Sequence, residues 1–428
     1  MRETEKHMAE SKPKGSIVFF HRNVDFDGHT LYKRPLGGME TSIICMARKL
    51  KSLGWNVKVF NHCEAPGIYD GVEYLSIWNI NEYLRTNTTD VFISVRYLDP
   101  FLHNLNSRLK IFWTGDAYGQ PYLGGLNDPQ IVNAIDCVFM KSRWQAETIS
   151  RYYNIPASKC FVVKNGIDVE RFMLNGVRRK KGKLVYASTP FRGLDILLDL
   201  FPRIRRRIPY AELYLYTGMR VYGESDQRDR EMFGHIYEKA DQPSVHLVGN
   251  ITQEALAREL LSAWLMVYPC TFKETLAGVL LEGQAAGLPV ISTRRYALPE
   301  VVLDGKSGLL IDGDPREEEY QDQFVESVVR LADNDKGWTV MSKNARDWIF
   351  EENSRQQAAV EWENIFSEML NTRRLKHSFF NHRHELKQCL SELCENPKDH
   401  DVYLRLAEIC RGMGRSDDAL FFEKKAQA

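Results

Sequence analysis

No stretch of this sequence reaches the ~18 consecutive apolar residues that a membrane-spanning helix needs, so a spanning protein is not expected. Net charge is missing too. Lys plus Arg total 57 and Asp plus Glu total 57, which disfavours a nucleic-acid or polyacid binder and leaves room only for local basic patches. Met1 to Gly15 is polar and charged with no apolar core, so a secretory signal is not expected. A cytoplasmic location is, with peripheral contact to the inner membrane face left open. The eight cysteines, at 45, 63, 137, 160, 270, 389, 394 and 410, form no Cys-x-x-Cys pair. Several sit in apolar runs, so buried reduced thiols are expected rather than a disulfide framework or a zinc site. No Asp-x-Asp pair stands in a loop suited to a metal, so neither a metal nor another cofactor is expected.

What is present is globular composition: 428 residues, 43% hydrophobic, 27% charged and 11% aromatic. That length suggests roughly two to three domains. Residues 1–14 read as a disordered tail. From Ser16, short apolar runs alternate with amphipathic stretches. Strands are predicted at Ser16–Phe20, Asn56–Asn61, Val91–Val95, Lys110–Trp113 and Ala134–Met140, and helices at Gly38–Leu53 and Ser142–Tyr152. The basic stretch 175–183 (NGVRRKKGK) reads as a linker. Alternation then restarts, with strands at Leu184–Ala187, Ala211–Thr217, Val245–Val248, Met266–Pro269 and Pro289–Thr293. Helices are predicted at Gly193–Arg207, Gln253–Ser262 and about Thr275–Ala286. The pattern predicts an α/β protein of two doubly wound, parallel-sheet, Rossmann-like domains, 15–174 and 184–350. Ligands bind such sheets at the carboxyl ends of the strands, and two units facing each other make a cleft.

Residues 338–372 read as one long helix anchored by Trp348, Trp362 and Phe366, with 351–374 as a crossover. Residues 375–428 read as a helical extension. Within it Leu406, Ala407, Gly414, Ala419 and Ala426 fall at spacings like one tetratricopeptide repeat. A generic docking helix pair is the alternative, and either would suit a protein partner. The basic clusters Arg178-Arg179-Lys180-Lys181 and Arg203, Arg205, Arg206 and Arg207 read as solvated surface charge, with attraction to an anionic membrane face as the sharper alternative.

The strongest chemical signal is Lys273 to Thr293, KETLAGVLLEGQAAGLPVIST. Thr275 is placed to cap a helix that Gly287 and Pro289 stop. On a continuous helix Glu282 would lie about 12 Å beyond Glu274. Two carboxylates so spaced can accept from hydroxyls at both ends of a nucleotide sugar, and a helix N-terminus between them suits a diphosphate. Charge pattern alone is equally met by an amphipathic helix with solvated glutamates.

The segment resembles the signature of retaining glycosyltransferases of family 4, the group 1 glycosyltransferases of GT-B architecture. Other pieces follow in that family's order: Pro35-Leu36-Gly37-Gly38-Met39-Glu40 as its glycine loop, Val163-Lys164-Asn165-Gly166-Ile167-Asp168 closing the first domain, and Leu298-Pro299-Glu300 with Asp304–Leu310 after the motif. The resemblance covers about residues 16–370. It implies transfer of a sugar from a nucleotide diphosphate, UDP-sugar first and GDP-sugar next, to a glycan, lipid or small-molecule hydroxyl, by a metal-independent front-face mechanism that retains configuration. Rival readings are a non-catalytic sugar-nucleotide-binding adaptor and a sugar-nucleotide epimerase on the same fold.

The resemblance also implies roles. Glu282 would hold the donor ribose and Glu274 would lie near the transferred sugar. Thr275, Leu276 and Ala277 would offer backbone amides, and Gly37 and Gly38 would admit the diphosphate. Arg192 stands where the family has a phosphate-binding lysine. The family's preceding arginine has no counterpart, Ala187 or Ser188 occupying the region, so Arg192 is expected to carry most of the leaving-group charge. Arg295-Tyr296-Ala297 replaces small glycines and is expected to make the neighbouring loop bulkier. At Trp113-Thr114-Gly115-Asp116 many relatives place a histidine that contacts the donor, and none is present. Asp116 is the substitute candidate. Tyr118, Gln120 and Tyr122, together with His21, Arg22 and Lys33, are candidates for the acceptor side.

Overall fold

The computed structural model describes residues 13–103, 105–396, 399–412 and 416–427. The expected tail therefore lies almost wholly outside the described residues. The chain divides into two compact units between Glu363 and Asn364.

The first unit holds two sheets. Strands β1 (Ser16–Phe20), β2 (Asn56–Tyr69), β3 (Val72–Ser76), β4 (Thr89–Val95), β5 (Ser107–Trp113), β6 (Cys137–Met140) and β7 (Cys160–Val162) are ordered β3-β2-β1-β4-β5-β6-β7. All pairs are parallel except β2 with β3. The second sheet comprises β8 (Lys183–Tyr186), β9 (Glu212–Leu215), β10 (Val245–Leu247), β11 (Leu265–Tyr268), β12 (Val290–Thr293) and β13 (Gly308–Ile311). Its order is β10-β9-β8-β11-β12-β13, and every pair is parallel. Central strands such as β8, β11 and β12 are buried along their whole length, because helices cover both faces of a parallel sheet. Both sheets reverse strand order between their first and fourth strands, the place where doubly wound sheets open a ligand crevice.

Several elements differ from expectation. Ala134 belongs to the short helix Pro129–Ala134, and β6 starts only at Cys137. The helix after Glu274 starts at Gly278, not Thr275. Its cap is Ala277, held at φ 58°, so Glu274 stands in the preceding loop and the spacing along a continuous helix does not apply. The long helix over 338–372 is two, Asp335–Glu352 and Arg355–Glu395. The break at Asn353–Ser354 has a cause. Ile167 donates its N–H to the Asn353 carbonyl at 2.8 Å and accepts from Arg355 at 2.8 Å, so the Gly166–Ile167 segment takes the place of helical bonding. Beyond the break the chain returns to the first sheet, where Trp362 packs edge-on against Trp113 and Phe139 at 4.8 and 5.1 Å.

The basic clusters are largely spoken for within the unit. Arg179 donates to the carbonyls of Ala263 and Ala286, each at 2.6 Å. Lys180 pairs with Glu212, Lys181 with Asp335, Arg203 with Asp322 and Arg207 with Glu326. Among the described residues no helix is long and apolar enough to cross a membrane.

In the second unit, His400–Gly412 and Ser416–Ala426 are helical. Cys389, Val402, Leu406 and Ile409 make a small core, and Ala407 and Ala419 are buried as well. Gly414, part of the expected repeat spacing, lies outside the described residues.

Candidate active-site cleft

A cavity of 280 Å³ lies between the two sheets and is lined from both. Gly37, Gly38, Arg192, Glu274, Thr275, Leu276, Ala277 and Glu282 all border it. The donor-side residues expected from sequence are therefore brought together.

The second sheet supplies the acidic groups and one arginine. Arg192 follows β8, where Gly193 has φ 103° and an added Cβ would meet the Pro269 carbonyl oxygen at 2.0 Å; only glycine lets this turn approach the loop after β11 so closely. The Arg192 guanidinium is held on every side. Nη1 donates to Glu274 Oε1 at 2.5 Å, Nη2 to the Tyr222 hydroxyl at 3.0 Å and Nε to Thr189 Oγ1 at 3.0 Å. It also stacks 4.4 Å above the Phe272 ring. Burial opposes the guanidinium charge, but the Glu274 carboxylate outweighs it and holds the group cationic. Glu274 further accepts from Tyr268 at 2.7 Å. Glu282 accepts from Arg171 Nη2 at 3.0 Å, and Arg171 also donates to Gln253 at 2.7 Å. Within the cleft Arg192 is thus paired with Glu274. The first turn of helix Gly278–Ala285 opens on the cavity, and its leading N–H groups have no partner inside the helix.

The first sheet supplies the glycine loop and further cations. Helix Gly38–Ser52 starts at the cavity. At Gly37 a Cβ would press on Glu40 Oε2 at 2.5 Å and on the Val221 carbonyl oxygen at 3.1 Å, so the chain itself leaves little room for a side chain there. At Gly38 a Cβ would meet nothing within 4 Å, which leaves this as the position where a ligand can approach the helix start. Ser42 Oγ donates to the Gly38 carbonyl at 2.6 Å and accepts from Asn165 Nδ2 at 3.0 Å. The glycine loop and the Val163–Asp168 segment are therefore one hydrogen-bonded assembly. Arg96, with φ 72°, follows β4 at the strand-order reversal. Lys141 follows β6. Both line the cavity, as do Glu40 and Arg355. Of these only Glu40 falls in a motif, the glycine loop, yet Arg96 and Lys141 directly follow strands expected from the sequence, and strand carboxyl ends are where such folds put chemistry.

Asp116 does not border the cavity. It is buried, and its two oxygens accept from Arg96 Nε at 2.9 Å and Nη2 at 2.8 Å. It holds Arg96 in place and is not open to a sugar hydroxyl. The acceptor-side candidates are also elsewhere. His21 is fully buried between Glu40, at 3.0 Å from Nε2, and the Val95 carbonyl. Its neighbour Glu40 is pushed up by burial but brought below the usual carboxylate range by the His21 hydrogen bond and charge. Arg22 pairs with Asp99 at 2.9 Å and lines a separate cavity with Phe20, Trp78 and Leu105. Lys33 reaches Asp27 at 3.5 Å. Gln120 accepts from the Ala117 N–H at 2.7 Å, and the Tyr122 ring lies under Arg96 at 4.7 Å.

Contacts across the cleft hold the halves together. Thr275 Oγ1 donates to the Gly115 carbonyl at 2.7 Å. The Glu300 carboxylate accepts from the N–H groups of Arg143 and Trp144, both at 2.8 Å, capping helix Arg143–Tyr153 from the other half. Lys273 Nζ lies 4.2 Å above Tyr118. Tyr296, expected with its neighbours to make this loop bulkier, meets Trp144 at 5.3 Å and does not border the cavity. Among the described residues no group of three or more His, Cys, Asp or Glu side chains is placed to hold a metal ion.

Residues 182–334 match the family model "Glycosyl transferases group 1". Among curated proteins, a D-inositol 3-phosphate glycosyltransferase of Nocardioides is 25% identical over 261 residues, covering 55% of each chain. A phosphatidyl-myo-inositol mannosyltransferase of Mycobacterium tuberculosis is 26% identical over 215 residues, covering 48% of this chain and 52% of that one. The chain spans about half the length of these curated relatives it matches. Solved structures share the fold over more of the molecule. Sucrose-phosphate synthase of Thermosynechococcus elongatus superposes with a TM-score of 0.65 at 14% identity, covering 84% of this chain and 100% of that one. Anabaena HepE, solved in complex with UDP and glucose, superposes with a TM-score of 0.61 at 15% identity, covering 83% and 100%. The architecture is GT-B, as the resemblance implies.

Proposed function

We propose, on the premise that residues 182–334 form a group 1 glycosyl transferase domain, that this chain is a retaining glycosyltransferase using a nucleotide-diphosphate sugar. One observation carries the reading. Glu274, Arg192, Glu282 and the Gly37-Gly38 helix start all border a single cavity between the carboxyl ends of two Rossmann-type sheets. That is a place for a diphosphate between two helix N-termini, with a carboxylate toward each end of the ligand.

In this reading Glu282, paired with Arg171, takes the ribose hydroxyls, and Glu274 takes hydroxyls of the transferred sugar. The Gly38 loop and the first turn of helix Gly278–Ala285 receive the diphosphate. As the bond from sugar to diphosphate breaks, negative charge grows on the leaving oxygen. The fixed dipoles and the Arg192 guanidinium stabilise that charge without reorganisation. The leaving diphosphate takes the acceptor's proton on the same face, so the configuration is retained and no metal is required. UDP-sugar is the first donor to test. GDP-sugar is the second, since one relative is a GDP-mannose-dependent mannosyltransferase of Mycolicibacterium smegmatis. Relatives whose names specify inositol phosphate or phosphatidylinositol acceptors make a polyol or lipid headgroup the acceptor class to try first, with peripheral membrane contact following from a lipid acceptor.

Thermal shift with UDP, GDP and ADP, followed by turnover of the matching donor sugars, tests the reading. One nucleotide diphosphate is expected to raise the melting temperature, since ligand at 100 times its Kd stabilises by ~2.7 kcal/mol. Transfer is expected to vanish in Glu274→Ala. No shift with any of the three would refute the donor site.

A further inference from the structure

The loop after β5, Trp113-Thr114-Gly115-Asp116, carries no histidine, and Asp116 is committed to Arg96. The space is nevertheless filled. A Cβ built on Gly115 would meet Lys141 Nζ at 2.8 Å and Met39 Sδ at 2.9 Å. The ammonium thus reaches from the end of β6 into the place a side chain at 115 would occupy, beside the first turn of helix Gly38–Ser52. Gly115 is also the residue whose carbonyl accepts from Thr275, so the ammonium stands where the two halves meet and borders the cavity.

Lys141 differs from the other cations there. Arg96 is paired with Asp116, Arg192 with Glu274 and Arg355 with Asp168. Lys141 Nζ has no ion-pair or hydrogen-bond partner among the described residues. Lys141 is half-buried, and an ammonium without a protein partner at the edge of a cavity is free to meet an anion that a ligand supplies.

We propose that Lys141 is a donor-binding residue of this chain, reaching from the end of β6 to contact the diphosphate of the nucleotide sugar. This rests on the transferase reading above. The groups facing it are Arg96 beyond β4, Asp116 beyond β5, Glu40 on helix Gly38–Ser52 and Glu274 beyond β11. Burial, with Arg96 adding to it, lowers the ammonium pKa to about 8, against a weaker pull upward from the three carboxylates. An arriving diphosphate favours the charged form. Binding above pH 8 must therefore take up a proton.

The test is calorimetric titration of the full chain with UDP, GDP and ADP, and with the corresponding nucleosides, from pH 6.5 to 9.5 in buffers of different ionisation enthalpy. Lys141→Met is expected to weaken the diphosphate about 10- to 100-fold, to leave nucleoside affinity unchanged and to abolish proton uptake at pH 8.5–9. Lys141→Arg, which keeps the charge, is expected to stay within about threefold of wild type near pH 7. Equal diphosphate affinity in wild type and Lys141→Met, or equal losses for diphosphate and nucleoside, would overturn the role of Lys141 and leave the transferase reading standing. A wild type that binds none of the three diphosphates would overturn both.

Discussion

The bond between Arg192 and Glu274 makes a prediction that a simple list of binding residues does not. Each would serve the donor, yet in the free protein they serve each other, Nη1 to Oε1 at 2.5 Å, with Tyr268 donating to the same oxygen at 2.7 Å. Glu274→Gln keeps the shape and an acceptor for both donors but removes the charge. Arg192 keeps its own charge, so what the variant removes is the attraction between opposite charges, and Arg192 is released from about 1 kcal/mol of competing attraction for a partly exposed pair. The nucleoside diphosphate product should then bind about fivefold more tightly. The donor sugar meanwhile loses a charged acceptor, and transfer should fall on the order of a hundredfold, ~3 kcal/mol. Isothermal titration with the diphosphate and initial-rate measurement with the donor, both on Glu274→Gln, read the two effects separately. A variant that loses diphosphate affinity in step with Arg192→Met would refute the reasoning, because Glu274 would then be holding Arg192 in its productive position and not competing with the ligand for it.

The remaining predictions concern stability and closure. Trp362→Ala removes a fully buried indole packed on Trp113 and Phe139 and should cost ~3–5 kcal/mol, read by urea denaturation; a loss below 1 kcal/mol would mean the returning helix does not anchor the first sheet. Glu300→Gln weakens the cap on helix Arg143–Tyr153 and should raise the KM for donor several-fold while leaving the far-ultraviolet spectrum unchanged; an unaltered KM would show that the cap does not govern closure. Because the Lys141 pKa falls from 10.5 to about 8 on folding, the unfolded chain binds more protons between those values. The charged form is a stability cost that is fully present below pH 8 and relieved as pH rises toward 10.5. Lys141→Met should therefore melt above wild type at pH 7, with the gap closing by pH 10; a gap independent of pH would refute the assignment of that titration.

How much of this was legible in the sequence depended on whether an element was specified locally. β1 and helix Gln253–Ser262 fall where short-range pattern put them, because an apolar run or an apolar stripe needs no distant partner to be recognised. The start of the helix after Glu274 was not legible. Thr275 looks like a cap by type, but the helix starts three residues later at Gly278, and the Thr275 hydroxyl donates to Gly115 on the other half. The break at Asn353 was hidden for the same reason, since its cause lies some 190 residues away at Gly166–Ile167. The site divided along the same line. Residues in the glycine loop and the Glu274–Glu282 segment announced themselves by spacing, whereas Arg96 and Lys141 are unremarkable in sequence and acquire meaning only from their strand ends. Asp116 and His21 were credible by residue type and lost that standing because each is consumed by a neighbour, Arg96 and Glu40.

The pairing pattern also bears on how such a cleft can bind a doubly charged ligand inside a chain of zero net charge. If its arginines were free, their mutual repulsion and desolvation would destabilise the empty cleft. They are instead compensated by Asp116, Glu274 and Asp168, so a nucleotide sugar, under the proposed function, would enter a preorganised and nearly neutral chamber. Under the proposed function, binding there would be an exchange of partners: sugar hydroxyls would replace Arg192 on Glu274 as phosphate oxygens replaced Glu274 on Arg192. An exchange of that kind gains little from the diphosphate or from the sugar taken alone and most from the two joined. The intact donor should accordingly exceed the sum of its halves in affinity, which is the condition for holding a sugar nucleotide firmly and releasing both pieces once the bond between them is broken.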